Sequence, residues 1–352
     1  MSLIRPTTDK SEGDESVPRE NSRENGADGV ARAVAVLVLV AVAALIPLLG
    51  PRAALDGTGE AAAPGAAGIG VLRTVLFAAL CVPAGELFVA RLLRRVPGAP
   101  ERMPRSWAPY AAAAGFLAAL GLASVVATGN LMPSGAGDID VGGLYATRDG
   151  KLALLEVNAF AAMGLCALSR RPGTQVWPLA AIAVAEALRA HPTTEHSPLI
   201  GSGLTLVHVV CASLWVGGLL HVLRTLRHWH RTRADGPLDL TATGAALLGL
   251  YARVAAVLLA ALTATGLCST LRRMPPETVL EQLTATAYGR ALLAKVLLVV
   301  VVAVLALVAR VRLSRASDPL TACAPARAEV AVLGLVVAAS ALLTALPVPI
   351  RW

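Results

Sequence analysis

The chain is poor in the residues on which soluble enzymes and nucleic-acid-binding proteins depend. Aromatic residues make up 4% and charged residues 15% of its 352 positions. No basic stretch is interleaved with aromatic side chains, so nucleic-acid bases find no stacking platform and no nucleic-acid partner is expected. The five cysteines form no CxxC pair, which argues against a thiol-disulfide enzyme. A nucleophile motif, a P-loop, a dinucleotide fingerprint and a zinc-protease helix are all missing, so we expect neither an enzyme nor ATP-driven pumping by this chain alone.

Apolar sequence is what the chain has in abundance. Apolar residues make up 56% of it, the mean hydropathy is +0.65, and apolar runs recur at about the 20 residues that a helix needs to cross a bilayer. The sequence therefore predicts an all-α, polytopic transmembrane helix bundle in contact with membrane lipid. About nine spans are expected, at 32–49, 70–91, 107–128, 152–169, 176–190, 203–223, 245–268, 288–309 and 329–347.

Lysine and arginine concentrate in alternate connections between these spans. If the N-terminus is inside, 20 of the 31 basic residues lie in inner segments, seven in outer segments and four within spans. Basic residues are retained on the cytoplasmic side. The distribution therefore predicts a multi-pass protein of the cytoplasmic (plasma) membrane, with its N-terminus inside and its C-terminus outside.

Three regions are predicted along the chain. Residues 1–29 are polar and poor in apolar side chains, a composition typical of a disordered segment, here a cytoplasmic tail. This tail lacks the layout of a cleavable signal peptide, so the first apolar segment is expected to remain as an anchor. Residues 30–175 hold the N-terminal transmembrane helices, and residues 176–352 form a C-terminal transmembrane domain.

Two histidines interrupt the apolar stretch "TLVHVVCASLWVGGLLHVL", residues 205–223. His208 and His221 are thirteen residues apart, which at about 100° per residue places them on different faces of a helix as well as near its opposite ends. They are therefore not one site. His208 shares a face with Cys211 and Trp215, whereas His221 is interpreted as an inner-boundary residue.

Three histidines gather on the predicted outer side. His191 and His196 follow the fifth span in "AEALRAHPTTEHSPL", and His208 lies within the start of the sixth. Imidazole is the commonest metal ligand in proteins and suits copper, so these three residues are candidate metal ligands. Cys211 is either a packing residue or a soft sulfur donor to Cu(I).

Four ionisable residues lie at similar predicted depth within the spans: Glu156, Glu186, Arg290 and Lys295. Each such group costs about 2.5 to 3.5 kcal/mol on membrane-insertion scales, so several at one depth predict a shared polar interior. Two interpretations stay open. The four side chains line or support an ion pathway, or they pair with one another and hold helices in register.

Four stretches resemble the CopD family of copper-resistance membrane proteins. They are "LVHVVCASLWVGGLL", "YARVAAVLLAALTATGLCSTLRR", "TAYGRALLAKVLLVVVVAVLALVAR" and "RAEVAVLGLVVAASALLTALPVP". They look like the family's His-x6-Trp-x-Gly-Gly helix, its Arg-bearing helix ending in Thr-Gly, its Tyr-Gly-Arg helix with a following Lys, and its closing Glu-bearing helix. The resemblance extends over about 180–347, and residues 50–175 share only the general layout.

The resemblance implies copper ion transport at the cytoplasmic membrane, with uptake from the outer face and a role in copper homeostasis and resistance. A separate CopC-like periplasmic copper carrier is the implied partner. His191 and His208 match the family's outer histidines, although the small neighbours of His191 in the family are replaced in "RAHPTT". The other matching polar or aromatic positions are Trp215, Arg290, Lys295 and Glu329.

Two alternatives come from other classes of protein. A b-type haem electron-transfer protein needs paired axial histidines on facing helices. Only His208 and His221 lie well within a span, and both are on one helix, so haem is not expected. A copper-delivery or assembly factor that does not transport the ion is the second alternative, and composition does not separate it from a transporter.

Overall fold

The computed structural model describes residues 38, 41–61, 63–129, 135–191, 197–232, 240–274, 276–315 and 323–347. These residues form helices joined by turns, and no strand occurs among them. The predicted tail at 1–29 lies outside the described residues.

Seven helices are long and apolar enough to cross a membrane. They are α2 (Ala66–Leu93), α3 (Ala108–Ala127), α5 (Arg148–Leu168), α7 (Pro198–Arg231), α8 (Leu240–Arg273), α10 (Ala287–Arg315) and α11 (Cys323–Ala345). Four shorter helices complete the described part of the chain: α1 (Ala41–Leu55), α4 (Val141–Ala146), α6 (Val176–Arg189) and α9 (Val279–Ala285). The predicted all-α transmembrane bundle is confirmed.

Seven of the nine predicted spans coincide with the long helices. The other two fall on α1 and α6. Part of the predicted first span, 32–49, lies outside the described residues. Helix α6 has 14 residues, which extend about 21 Å at 1.5 Å per residue, less than the hydrocarbon thickness of about 30 Å. The count of nine spans and the orientation stay predictions.

Helix α7 packs against α2, α6, α8 and α11. Glycines allow α7 and α2 to approach closely. A Cβ atom built on Gly217 would overlap the backbone carbonyl of Cys81, and one built on Gly85 would overlap the backbone of Gly217. A Cβ atom on Gly218 would lie 2.9 Å from the ring of Tyr251 in α8. Small residues allow this close approach in membranes.

Helices α2, α3, α5 and α6 bury an apolar cluster, whereas α10 exposes much of its apolar surface. Helices α2, α3, α5 and α6 enclose a cluster around Phe160, Met163 and Ile182, each fully buried. Helix α10 packs mainly on α11, while its Val300, Val304 and other valine and leucine side chains are exposed. Such an apolar exposed face is what lipid contact requires.

We expect Gly217→Ala to lower the free energy of unfolding by about 1–3 kcal/mol or more, because the added methyl group must displace the α2 backbone. Gly334→Ala in α11 is the matched control, since a Cβ atom there meets nothing within 4 Å. Alanine favours helix over glycine by up to about 1 kcal/mol, so the control should be neutral or stabilising. Unfolding in detergent, followed by circular dichroism, measures both. Equal stability of the two variants would contradict the close α2–α7 contact.

Candidate metal-handling site

His191 lies in the turn that follows α6, beside the first turns of α7, and is 2% exposed. Its Nε2 is 2.9 Å from the Thr205 hydroxyl. A Cβ atom on Gly201 would lie 2.5 Å from the Nδ1 of the same ring, so the imidazole fits against α7 because glycine stands there. Both ring nitrogens of His191 therefore face α7.

His208 faces α8, where its Nδ1 is 2.9 Å from the Thr265 hydroxyl. That hydroxyl donates its one proton to the Ala261 carbonyl at 2.8 Å. Since a hydroxyl has one donor and two acceptor sites, Thr265 accepts from the Nδ1–H of His208. In the neutral imidazole this places the proton on Nδ1 and leaves the Nε2 lone pair without a hydrogen bond to any described residue.

The His191 imidazole contacts α7 close to the position from which the His208 side chain extends. Thr205, which holds His191, and His208 are three residues apart, a spacing that brings Cβ atoms within about 5–6 Å on a helix. His196 lies outside the described residues. Over the residues that are described, histidine, cysteine, aspartate and glutamate nowhere form a group of three or more able to hold a metal ion. Lys295 of α10 lies near enough for its charge to act on His208.

A second polar group occurs about 10 Å further along α7, at seven residues and 1.5 Å per residue. The Tyr251 hydroxyl donates to the Trp215 carbonyl at 2.7 Å, and the Trp215 side chain lies beside the Glu329 carboxyl group of α11. Each of the three residues is 4% exposed. Glu329 forms no ion pair with a described residue. Sequence reasoning missed Tyr251, although a tyrosine inside an apolar span signals a buried hydroxyl that needs a partner.

A third polar group surrounds His221, again six residues and about 9 Å along the helix. Its Nδ1 is 4.0 Å from Glu86 Oε1, and Arg224 donates to the same oxygen at 3.1 Å. The backbone N–H of Trp107 donates to it at 2.7 Å, and the Arg224 guanidinium lies 3.5 Å from the centroid of the Trp107 ring. Glu86 was missed, although it is the only acid in the predicted span 70–91.

Glu156 and Glu186 share the polar interior that the sequence predicts, but with other partners. Arg189 lies 2.9 Å from Glu156 and 3.7 Å from Glu186, and Arg73 lies 2.5 Å from Glu186. Among the described residues, neither carboxylate forms an ion pair with Arg290 or Lys295. The Arg290 guanidinium instead donates to the carbonyls of residues 56 and 284, because the fold places it against the turn after α1 and the end of α9.

These ion pairs join three helices. Arg73 belongs to α2, Glu156 to α5, and Arg189 to α6 together with Glu186. Both carboxyl groups are at most 5% exposed. Cys211, by contrast, packs against the apolar core between α7 and α8, as expected of a packing residue.

The fold and these groups define a multi-pass α-helical membrane protein with buried polar side chains at successive depths along one central helix. Comparison with known families identifies its C-terminal part: residues 245–343 match the family model described as Copper resistance protein D, or CopD. The match covers most of α8, all of α9 and α10 and most of α11, and α7 precedes it. It includes Thr265, Lys295 and Glu329. No curated protein and no solved structure matches the chain. Over residues 245–343 the chain is thus similar to the CopD copper-resistance family, within a protein whose described residues include seven helices long and apolar enough to cross a membrane.

Arg189→Met should lower the free energy of unfolding by about 3–5 kcal/mol, because it leaves the buried Glu156 carboxylate without its cation. Adding Glu156→Gln should restore much of the loss, since a neutral amide then replaces the unpaired charge. Arg290→Met is the control, because it removes only hydrogen bonds to backbone carbonyls and should cost about 1 kcal/mol. Denaturant unfolding in detergent measures all three. A double variant less stable than Arg189→Met would refute the role of this ion pair.

Proposed function

We propose that the protein carries copper ions across the cytoplasmic membrane, with uptake from the outer face, and thereby contributes to copper homeostasis and resistance. The observation that carries this proposal is the arrangement of buried polar groups along α7, with the open Nε2 of His208 at the outermost one. The CopD match of the adjoining helices makes copper the cargo that this arrangement suits best.

His208 is the proposed entry ligand. A neutral imidazole with one nitrogen anchored and the other free is the usual state of a metal-binding histidine. His191 is the proposed second ligand, and it binds copper once its Nε2 leaves the Thr205 hydroxyl. His196, on the outer connection in the predicted orientation, is the proposed first contact for arriving copper.

Affinity at such a site has to be modest, because a transported ion must also leave. Two imidazoles provide fewer ligands than a closed structural metal site, and the positive charge of Lys295 acts on His208. Both features weaken the binding of a cation. The charge of Lys295 therefore favours release of the ion from His208.

The inward route follows α7 past Trp215 and Glu329 to His221 and Glu86. Glu329 offers a carboxyl group with no competing cation among the described residues, and the Glu86 carboxylate lies beside the His221 imidazole. Glu156 and Glu186, whose charges are neutralised by arginines, support the helices around this route. Cys211 has a packing role beside it. A separate CopC-like periplasmic carrier is the proposed source of copper at the outer face.

The double variant His191→Ala, His208→Ala should reduce copper uptake at least tenfold, because both proposed entry ligands are lost. The control is His228→Ala, His230→Ala, which also removes two imidazoles but at the opposite end of α7. Uptake of radioactive copper into cells, normalised to the amount of folded protein in the membrane, measures the effect. Unchanged uptake by the first variant would end the assignment.

Thr265→Val should weaken copper binding about tenfold, since residues that orient a metal-binding histidine typically contribute 10- to 100-fold. The control is Thr263→Val, two residues away on the same helix, whose hydroxyl is exposed and bonds only to its own helix backbone. Copper titration of purified protein in detergent gives both dissociation constants. An equal effect of the two substitutions would contradict the orienting role of Thr265.

A further inference from the structure

An open cavity of about 560 Å³ lies between α2, α8 and α10, toward the end of the bundle away from His208. Three arginines from three elements line it. Arg95 directly follows α2, Arg253 lies in the first half of α8, and Arg310 lies near the end of α10. No acidic residue lines the cavity.

The charge of these three arginines is not neutralised within the described chain. All three side chains are exposed, and none forms an ion pair or a side-chain hydrogen bond with a described residue. The arginines of the interior differ in this respect, since Arg73 and Arg189 each pair with a carboxylate. Three guanidinium groups around one cavity create a positive potential that favours an anion.

The remaining wall of the cavity is apolar. Ala246, Gly249 and Leu250 stand on the same face of α8 as Arg253, at the i, i+3, i+4 and i+7 positions of a helix. A Cβ atom built on Gly249 would meet nothing within 4 Å, so the space beside this face is open. Next to the cavity, α8 and α10 expose apolar side chains such as Val257 and Val304, as a lipid-facing surface does.

We infer that this cavity binds an anionic phospholipid, with its phosphate between Arg95, Arg253 and Arg310 and its apolar part along Gly249 and Leu250. Guanidinium groups bind phosphate oxygens through paired N–H donors. Basic pockets between transmembrane helices on the cytoplasmic side are suited to such headgroups, and the predicted orientation places this cavity there. The apolar wall favours a lipid over free phosphate, which has no apolar part to bury. The inference does not depend on copper transport.

The test measures lipid retained by the purified full-length protein with native mass spectrometry. Phosphatidylglycerol, phosphatidylcholine and inorganic phosphate are offered separately. Phosphatidylglycerol should bind at least tenfold more tightly than phosphatidylcholine, and inorganic phosphate should not displace it at equal concentration. An arginine near an anionic lipid surface contributes about a fivefold change in affinity, so Arg253→Gln, Arg310→Gln should weaken phosphatidylglycerol binding roughly 25-fold.

The matched control is Arg91→Gln, Arg94→Gln, which removes the same charge from exposed positions of the same end of the bundle that do not line the cavity. It should weaken binding less than threefold. Equal losses in the two double variants, or equal binding of the two lipids, would overturn the inference. Displacement by inorganic phosphate would identify a simple anion site and overturn the assignment to lipid.

A second variant tests the cavity without altering charge. Gly249→Phe fills the open space beside α8 and should reduce retained phosphatidylglycerol at least tenfold. Gly334→Phe is its control, because a side chain there also enters open space, but away from the cavity. Full retention by Gly249→Phe, together with a wild-type melting profile, would show that lipid does not occupy this cavity and would overturn the inference.

Discussion

The contact on which the bundle depends is the approach of the α2 and α7 backbones at Gly85 and Gly217. No side chain separates the helices there, and even a methyl group would overlap backbone atoms of the neighbour. This contact sets the distance between the two helices for several turns on either side. It brings Glu86, one residue after Gly85, within reach of His221 and Arg224. A buried ion pair needs such fixed geometry, since its attraction offsets desolvation only when both partners are well placed.

Helix α7 carries polar side chains into the apolar bundle, and residues of neighbouring helices lie beside them. In each group a neighbouring helix supplies the residue that faces α7: Thr265 for His208, Glu329 for Trp215, and Glu86 for His221 and Arg224. Sharing in this way spreads the cost of burying polar atoms over several helices. It also means that a cation following α7 would pass from one interhelical contact to the next rather than along a single surface.

The arginines of this protein occupy two kinds of environment: some pair with carboxylates between helices, and others line an open cavity. Arg73 and Arg189 are partly exposed, pair with buried carboxylates, and join α2, α5 and α6. Arg95, Arg253 and Arg310 surround an open cavity and have no acidic neighbour in its wall. The net charge of +8 thus includes cations that no carboxylate of the described residues neutralises.

The sequence by itself determined the helical membrane architecture, the seven long helices and the CopD resemblance, because each depends on local composition and on motifs within one helix. It also indicated that Glu156 and Glu186 share a polar interior. Only the tertiary structure decided their partners, the anchoring of His208 by Thr265 and the place of Tyr251 beside Trp215. Apart from Arg189 and Glu186, which share one helix, these contacts join residues from 33 to 113 positions apart. Helix periodicity says which way a side chain faces but not which neighbour it meets.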